Sequence, residues 1–170
     1  MSAFERLARF SDRMFDSLRD KRAFTLTDDA ATDGDFESLR GHKYAVVATF
    51  RRNGNVVPSP VWFGIDHRGH AYLKTRHDAG KVKRLRHDSR ALIAPSNLRG
   101  KPTGGAVRGT GRVLPQAEWA HAEETLKAAY KTGRRISERV LGGPQDMVAY
   151  IEITPGRVAP AESATASVPT

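Results

Sequence analysis

The spacing of apolar positions changes along the chain, and the changes predict its elements. Phe4, Leu7, Met14, Phe15 and Leu18 recur at helical intervals among charged residues, predicting an amphipathic helix over residues 3–20. Such a helix packs on its own domain or on a partner subunit, or lies on a membrane surface. The run TDDAATDGD then predicts a polar loop. From Lys43 the pattern changes to short apolar, β-branched runs. YAVVATF predicts a strand, and RRNGN places Asn53-Gly54 where a type I′ hairpin turn belongs. VVPSPVWFGID continues extended, and Pro58 and Pro60, which have no donor for a ladder, assign it to an edge or bulge. After the turn DHRGH, AYLKT supplies a third strand, so the three together predict an antiparallel meander.

A helix is predicted next, from Gly80 to about Asp88 with Asp78 as its N-cap. RALIAPS and GAVRGTGRVL are the fourth and fifth strands. Gly109 and Gly111 share one face of the fifth, where a backbone or a flat ring can approach, or where the strand bulges at a barrel corner. Pro115 opens a further helix with the stripe Trp119, Ala122, Leu126, Ala129 and Tyr130. MVAYIEI is the sixth strand, and the Ala/Ser/Thr/Pro-rich tail predicts disorder. The expected organisation is a helix and loop over 1–35, a barrel over 36–154 and a tail over 155–170. The fold class is mainly β: a six-stranded antiparallel barrel with flanking helices.

Composition narrows the function. At 170 residues the chain suits one domain with a real core. It has no cysteine, which excludes disulfides, thiolate zinc sites and a cysteine nucleophile. The first fifteen residues are charged throughout, unlike a signal peptide, and no apolar run reaches membrane-spanning length. The expectation is a soluble, cytoplasmic protein. A net charge of +9 favours anionic partners: nucleic acid, acidic lipid, or a small ligand rich in phosphate and carboxylate.

The stretch TRHDAGKVKRLRHDSR concentrates that charge, with six Lys or Arg and two acids over residues 75–90. It is either a solvated helix face or a grip on an anion. On a helix, Val82 and Leu85 point to the barrel, Lys83, Arg86 and His87 to solvent, and Lys81 and Arg84 lie on a flank. Thr75, Lys81 and the helix N-terminus form a candidate phosphate cradle; Lys81 paired with Asp78, or simply solvated, is the competing expectation. His67-x-x-His70 spans a turn, which suits turn chemistry better than a metal. There is no HExxH, P-loop, regular GxGxxG or serine nucleophile elbow. Trp62 and Phe63 point to opposite faces, one for the core and one able to cover a ring. The bases are not interleaved with aromatics and no nucleic-acid-binding motif occurs, which argues against nucleic acid.

Three segments carry a resemblance. VPSPVWFGID, AYLKTRHDAGKVKRLRHDSRALIAPSN and LRGKPTGGAVRGTGRVL resemble the pyridoxamine 5′-phosphate oxidase-like family, and within it the actinobacterial flavin/deazaflavin oxidoreductases that use coenzyme F420. The resemblance covers about residues 36–154. It implies a split β-barrel and a homodimer with cofactor sites across the subunit interface. It places Ser59, Pro60, Val61 and Trp62 beside the cofactor ring, and Thr75 through Lys81 on the phosphate. It also implies cofactor contacts for Lys83, Arg84, Asn97 and Arg99. Two departures stand out: Pro95-Ser96-Asn97 where the branch has Pro-Cys-Asp, and Arg108 where a glutamate is common. Both imply a more positive pocket.

The implied reaction is hydride transfer between C5 of reduced F420 and an electron-poor small molecule. The cofactor carries the hard chemistry, so no catalytic dyad is expected and no residue is assigned as catalytic. Lys81, Lys83, Arg84, Arg99 and Lys101 suit the oligoglutamate tail of F420. The alternatives are an FMN-dependent oxidase or reductase on the same fold, or a non-enzymatic basic protein that binds cofactor or nucleic acid.

Overall fold

Two prolines decide where the sheet ends. The structure, a computed structural model, describes residues 21–130 and 147–156; the helix expected over residues 3–20 and the tail beyond Gly156 lie outside them. Strand β1 (Tyr44–Phe50) pairs antiparallel with β2 (Val56–Trp62) in an unbroken register from Tyr44↔Trp62 to Phe50↔Val56. A ladder can cross Pro58 and Pro60 unbroken only if their missing N–H groups would have pointed away from β1. The outer edge of β2 therefore lacks two donors. Among the described residues no strand pairs there.

That removes the expected meander. The third element, β4 (Ala71–Arg76), does not join β2 but pairs with β7 (Val148–Pro155) and with the two-residue β3 (Gly64–Ile65). With β5 (Arg90–Ser96) and β6 (Val107–Val113), the order is β2-β1-β5-β6-β7-β4-β3, seven strands among the described residues rather than six. Phe63 alone separates β2 from β3, although these are the two ends of the sheet. The ends must therefore meet, so the sheet curls into the expected barrel. At the seam, Tyr130 Oη donates to the Phe63 carbonyl at 2.8 Å, and Gly64 packs so tightly on Thr125 that a Cβ would lie 2.9 Å from its carbonyl oxygen.

Alternation along the strands sorts the core into layers. Ala45, Val47, Leu73, Ile93, Ile151 and Ile153 fill the barrel. Ala23, Leu26 and Ala31 cover the outer face of β1 and β5, against Val46, Ala48 and Leu92. Helix α2 (Trp119–Ala129) covers β4 and β7, burying Ala122 and Leu126 on Tyr72 and Tyr150. Helix α1 (Gly80–Leu85) plugs the barrel with Val82 and Leu85. Among the described residues no helix is long and apolar enough to cross a membrane.

Three turns share one design. In Arg51–Asn55, Asp66–His70 and Asn97–Lys101 the fourth residue is a glycine with φ of 81°, 81° and 78°. Its N–H donates to the carbonyl of the turn's first residue, and that residue's N–H donates to the fifth residue's carbonyl. Left-handed φ at this position favours glycine. The β1–β2 hairpin forms as expected, but not through a type I′ turn: among the described residues only glycines have positive φ, and Asn53 is not one of them. Gly109 and Gly111 are also resolved by packing. A Cβ would sit 2.7 Å from the Thr154 carbonyl oxygen at Gly109 and 2.8 Å from Leu85 at Gly111, so the protein itself occupies the space beside them.

Candidate functional site

Helix α1 lies across the barrel mouth and meets two threonines whose side chains follow the inward alternation. Its two buried residues fix its rotation, which leaves Lys83, Arg86 and His87 exposed and Lys81 and Arg84 on the flank, as the spacing predicts. Lys81 Nζ donates to Thr75 Oγ1 at 3.2 Å, and Arg84 Nε donates to the buried Thr49 Oγ1 at 2.7 Å. Arg84 also folds back over Gly80, where a Cβ would come within 2.8 Å of its Nη1. Lys81 thus turns towards Thr75, and Asp78 is taken instead by Arg76, at 2.9 Å and 2.5 Å. Asp78 is not the N-cap either: Ala79 holds that position and makes no side-chain bond. An ammonium and a hydroxyl in contact form a donor set that fits a phosphate oxygen. Because α1 has only six residues, the candidate cradle rests on that pair rather than on a helix dipole.

The remaining expected site residues fall in three places. Ser59 and Val61 share the inward face of β2, opposite Val47 and Ala45. Pro60 and Trp62 alternate to the outer face, where Trp62 packs edge-on against Tyr44 at 5.1 Å. Phe63 is the core member of the aromatic pair, 3% exposed. Asn97 and Arg99 lie in the turn after β5, where Asn97 Oδ1 accepts from the backbone N–H of Arg99 and Lys101. That turn reaches β2, since a Cβ at Gly100 would meet Pro60 at 2.8 Å. Tyr44, Pro60, Val61, Trp62 and the exposed Leu98 line a groove of about 80 Å³ between them. Lys83 belongs to neither the mouth nor the groove; it faces a cleft beside the β1–β2 turn.

Arg108 does not add to a positive pocket. Its guanidinium bonds to Asp28 at 2.9 Å and Asp33 at 3.3 Å, tying the segment before β1 onto β6.

The sequence reading missed a polar network under α2. Glu152, on β7, is 4% exposed and accepts from Tyr72 Oη at 2.7 Å and Arg112 Nε at 2.5 Å, with His70 Nδ1 at 3.0 Å. The buried Asp66 holds its own turn through the N–H groups of Arg68 and His70, and its other oxygen meets Arg68 Nε and His121 Nε2. His70 is therefore turn and network chemistry. One sequence signal was available: a lone acid in the otherwise apolar MVAYIEI.

Burial pushes both carboxyls up, but their hydrogen bonds outweigh it and hold Asp66 and Glu152 below the usual range. Burial and the bond to Glu152 push the Tyr72 phenol up. Because the folded carboxyls have depressed pKa values, the unfolded chain binds more protons in acid. Their stabilisation is complete above the unfolded values, about 4, and is lost as pH falls below them. Denaturant midpoints should drop steeply below about pH 4, and less steeply in Glu152→Gln. Parallel curves for the two proteins would remove the network as the cause.

No protein-family model matches the chain, and no curated protein sequence does. Solved structures do. The heme-storage protein HutZ from Vibrio cholerae is 15% identical, with 71% of this chain and 87% of that one covered and a TM-score of 0.53. A conserved hypothetical protein from Mycobacterium tuberculosis is 14% identical over 82% of this chain and 86% of its own, at 0.52. A FAD-binding protein from Mesorhizobium loti is 12% identical over 71% and 84%, at 0.51. These likenesses establish the fold, a split β-barrel.

Proposed function

We propose that the protein is an oxidoreductase that binds the deazaflavin coenzyme F420 and serves an electron-poor small molecule. The observation that carries this reading is the Lys81–Thr75 contact of 3.2 Å at the barrel mouth. It joins a cation and a hydroxyl where the sequence resemblance expects a phosphate, on a fold whose solved examples include a FAD-binding protein. Lys81 would hold the phosphate charge and Thr75 would orient it, while Pro60 and Trp62 flank the ring along the donor-poor edge of β2. When bound, reduced F420 supplies a hydride from C5. The chain's part is to orient two flat molecules and exclude water. A homodimer belongs to the same proposal, and the exposed Leu98 beside Tyr44, Pro60 and Trp62 suits a subunit contact. A monomer by light scattering at micromolar concentration would remove a site shared between subunits.

The test is a fluorescence titration of the full-length protein with F420, a tail-less deazaflavin and FMN. F420 should bind most tightly and FMN most weakly. The advantage of the tail should shrink as salt rises, because exposed charges are screened over about 8 Å at physiological ionic strength. Tight FMN binding with no preference for the tail would instead make this an FMN enzyme.

A further inference from the structure

The charge run that suggested a grip has a second wall that the sequence did not show. The β1–β2 turn, carrying Arg51 and Arg52, stands against the C-terminal half of α1, and between them lies a cleft of about 400 Å³. Lys83, Arg84, His87 and Arg90 complete its basic lining, against a single acid, Asp88. That acid is already engaged: Arg90 holds both its oxygens, at 3.0 Å and 2.7 Å, while its guanidinium lies 4.4 Å from the centre of the Phe50 ring. Arg52 Nη2 lies 3.0 Å from His87 Nε2 across the cleft. Arg51, Arg52 and Lys83 have no carboxylate partner among the described residues.

A basic run on a convex helix face disperses its charge into water. Here two segments converge on a concave space, so like charges from both walls meet at short range. Repulsion disfavours that arrangement unless an anion enters, and low-dielectric walls concentrate the field inside. A cleft of this volume has room for several linked anionic groups, each meeting a different cation of its lining.

We propose that this cleft binds a compact multivalent anion, with two or more phosphate or carboxylate groups joined in a chain, between Arg51 and Arg52 on one side and Lys83 on the other. The site is distinct from the Thr75–Lys81 pair, and its occupant is either a free polyanion or the anionic tail of a larger molecule.

The experiment is calorimetric titration of the full-length protein with inorganic tripolyphosphate, at fixed ionic strength. Arg51→Gln/Arg52→Gln should weaken binding roughly tenfold, about a factor of three per exposed charge. Lys83→Gln should weaken it about threefold. Lys81→Ala should remove at most a separate contact at the mouth and leave the arginine-dependent tripolyphosphate binding in place, which separates this site from the mouth. Lys127→Gln, an exposed change on α2 that removes one charge elsewhere, should also have no effect. If Lys127→Gln weakens binding as much as Lys83→Gln, net charge explains the result and the cleft is overturned. Dependence on Lys81 instead of the arginines overturns it too, as does binding of a DNA or RNA oligomer but not tripolyphosphate. Comparing tailed and tail-less deazaflavin on Arg51→Gln/Arg52→Gln identifies the source. A loss confined to the tailed form places a cofactor tail in the cleft, and equal affinities leave it to a free polyanion.

Discussion

Glu152→Ala is expected to lower the thermal unfolding midpoint by about 10 °C. The substitution removes the acceptor shared by Tyr72 Oη, Arg112 and His70 from a position that excludes most water, since Glu152 is 4% exposed. Removing one partner of a buried ion pair costs about 3–5 kcal/mol, and the half-exposed Arg112 argues for the lower end. At this chain length each kcal/mol moves the midpoint about 2–4 °C. Glu118→Ala is the control. Glu118 pairs with the same Arg112, at 2.5 Å, but from the solvent side, and exposed pairs contribute little. Circular dichroism melts of the two variants measure the difference; equal shifts would mean that the buried side of the network contributes no more than the exposed one.

Lys81→Ala should weaken F420 binding about ten- to a hundredfold, with the unfolding midpoint almost unchanged. A charge-assisted hydrogen bond to phosphate is worth roughly 1.5–3 kcal/mol. Lys81 is partly exposed, whereas its neighbour Val82 is fully buried and holds α1 in place. Lys83→Ala should lose less than about fivefold, because that side chain is exposed. Thr75→Val keeps the shape and removes only the hydroxyl, so its effect should fall between the two. Fluorescence titration ranks them. Equal and negligible losses from Lys81 and Lys83 would return the whole stretch to a solvated face.

What could be read along the chain was local. The short apolar runs YAVVATF and MVAYIEI located the inner strands β1 and β7, and the helical spacing of Val82 and Leu85 set the face of α1 correctly. Pro58 and Pro60 marked an edge, because a missing donor is a property of the residue itself. Asn97-Leu98-Arg99-Gly100 carries the glycine spacing of the other two turns.

Which strands become neighbours was decided by tertiary structure alone. Alternation reports the face a side chain buries and is silent on the partner across the ladder. The meander was therefore a fair reading of three consecutive strands, yet it conflicted with the prolines, and the chain satisfied the prolines by sending β4 to β7. The pairings that build the polar sites are equally non-local. Tyr72 meets Glu152 from 80 positions away, Arg108 meets Asp28 from 80, and Arg52 meets His87 from 35. The residues themselves set the chain's excess of positive charge, the rotation of α1 and the donor-poor edge. Where that charge becomes concave depended on the barrel closing, because only closure brings a hairpin turn against a helix that begins 26 residues after Gly54.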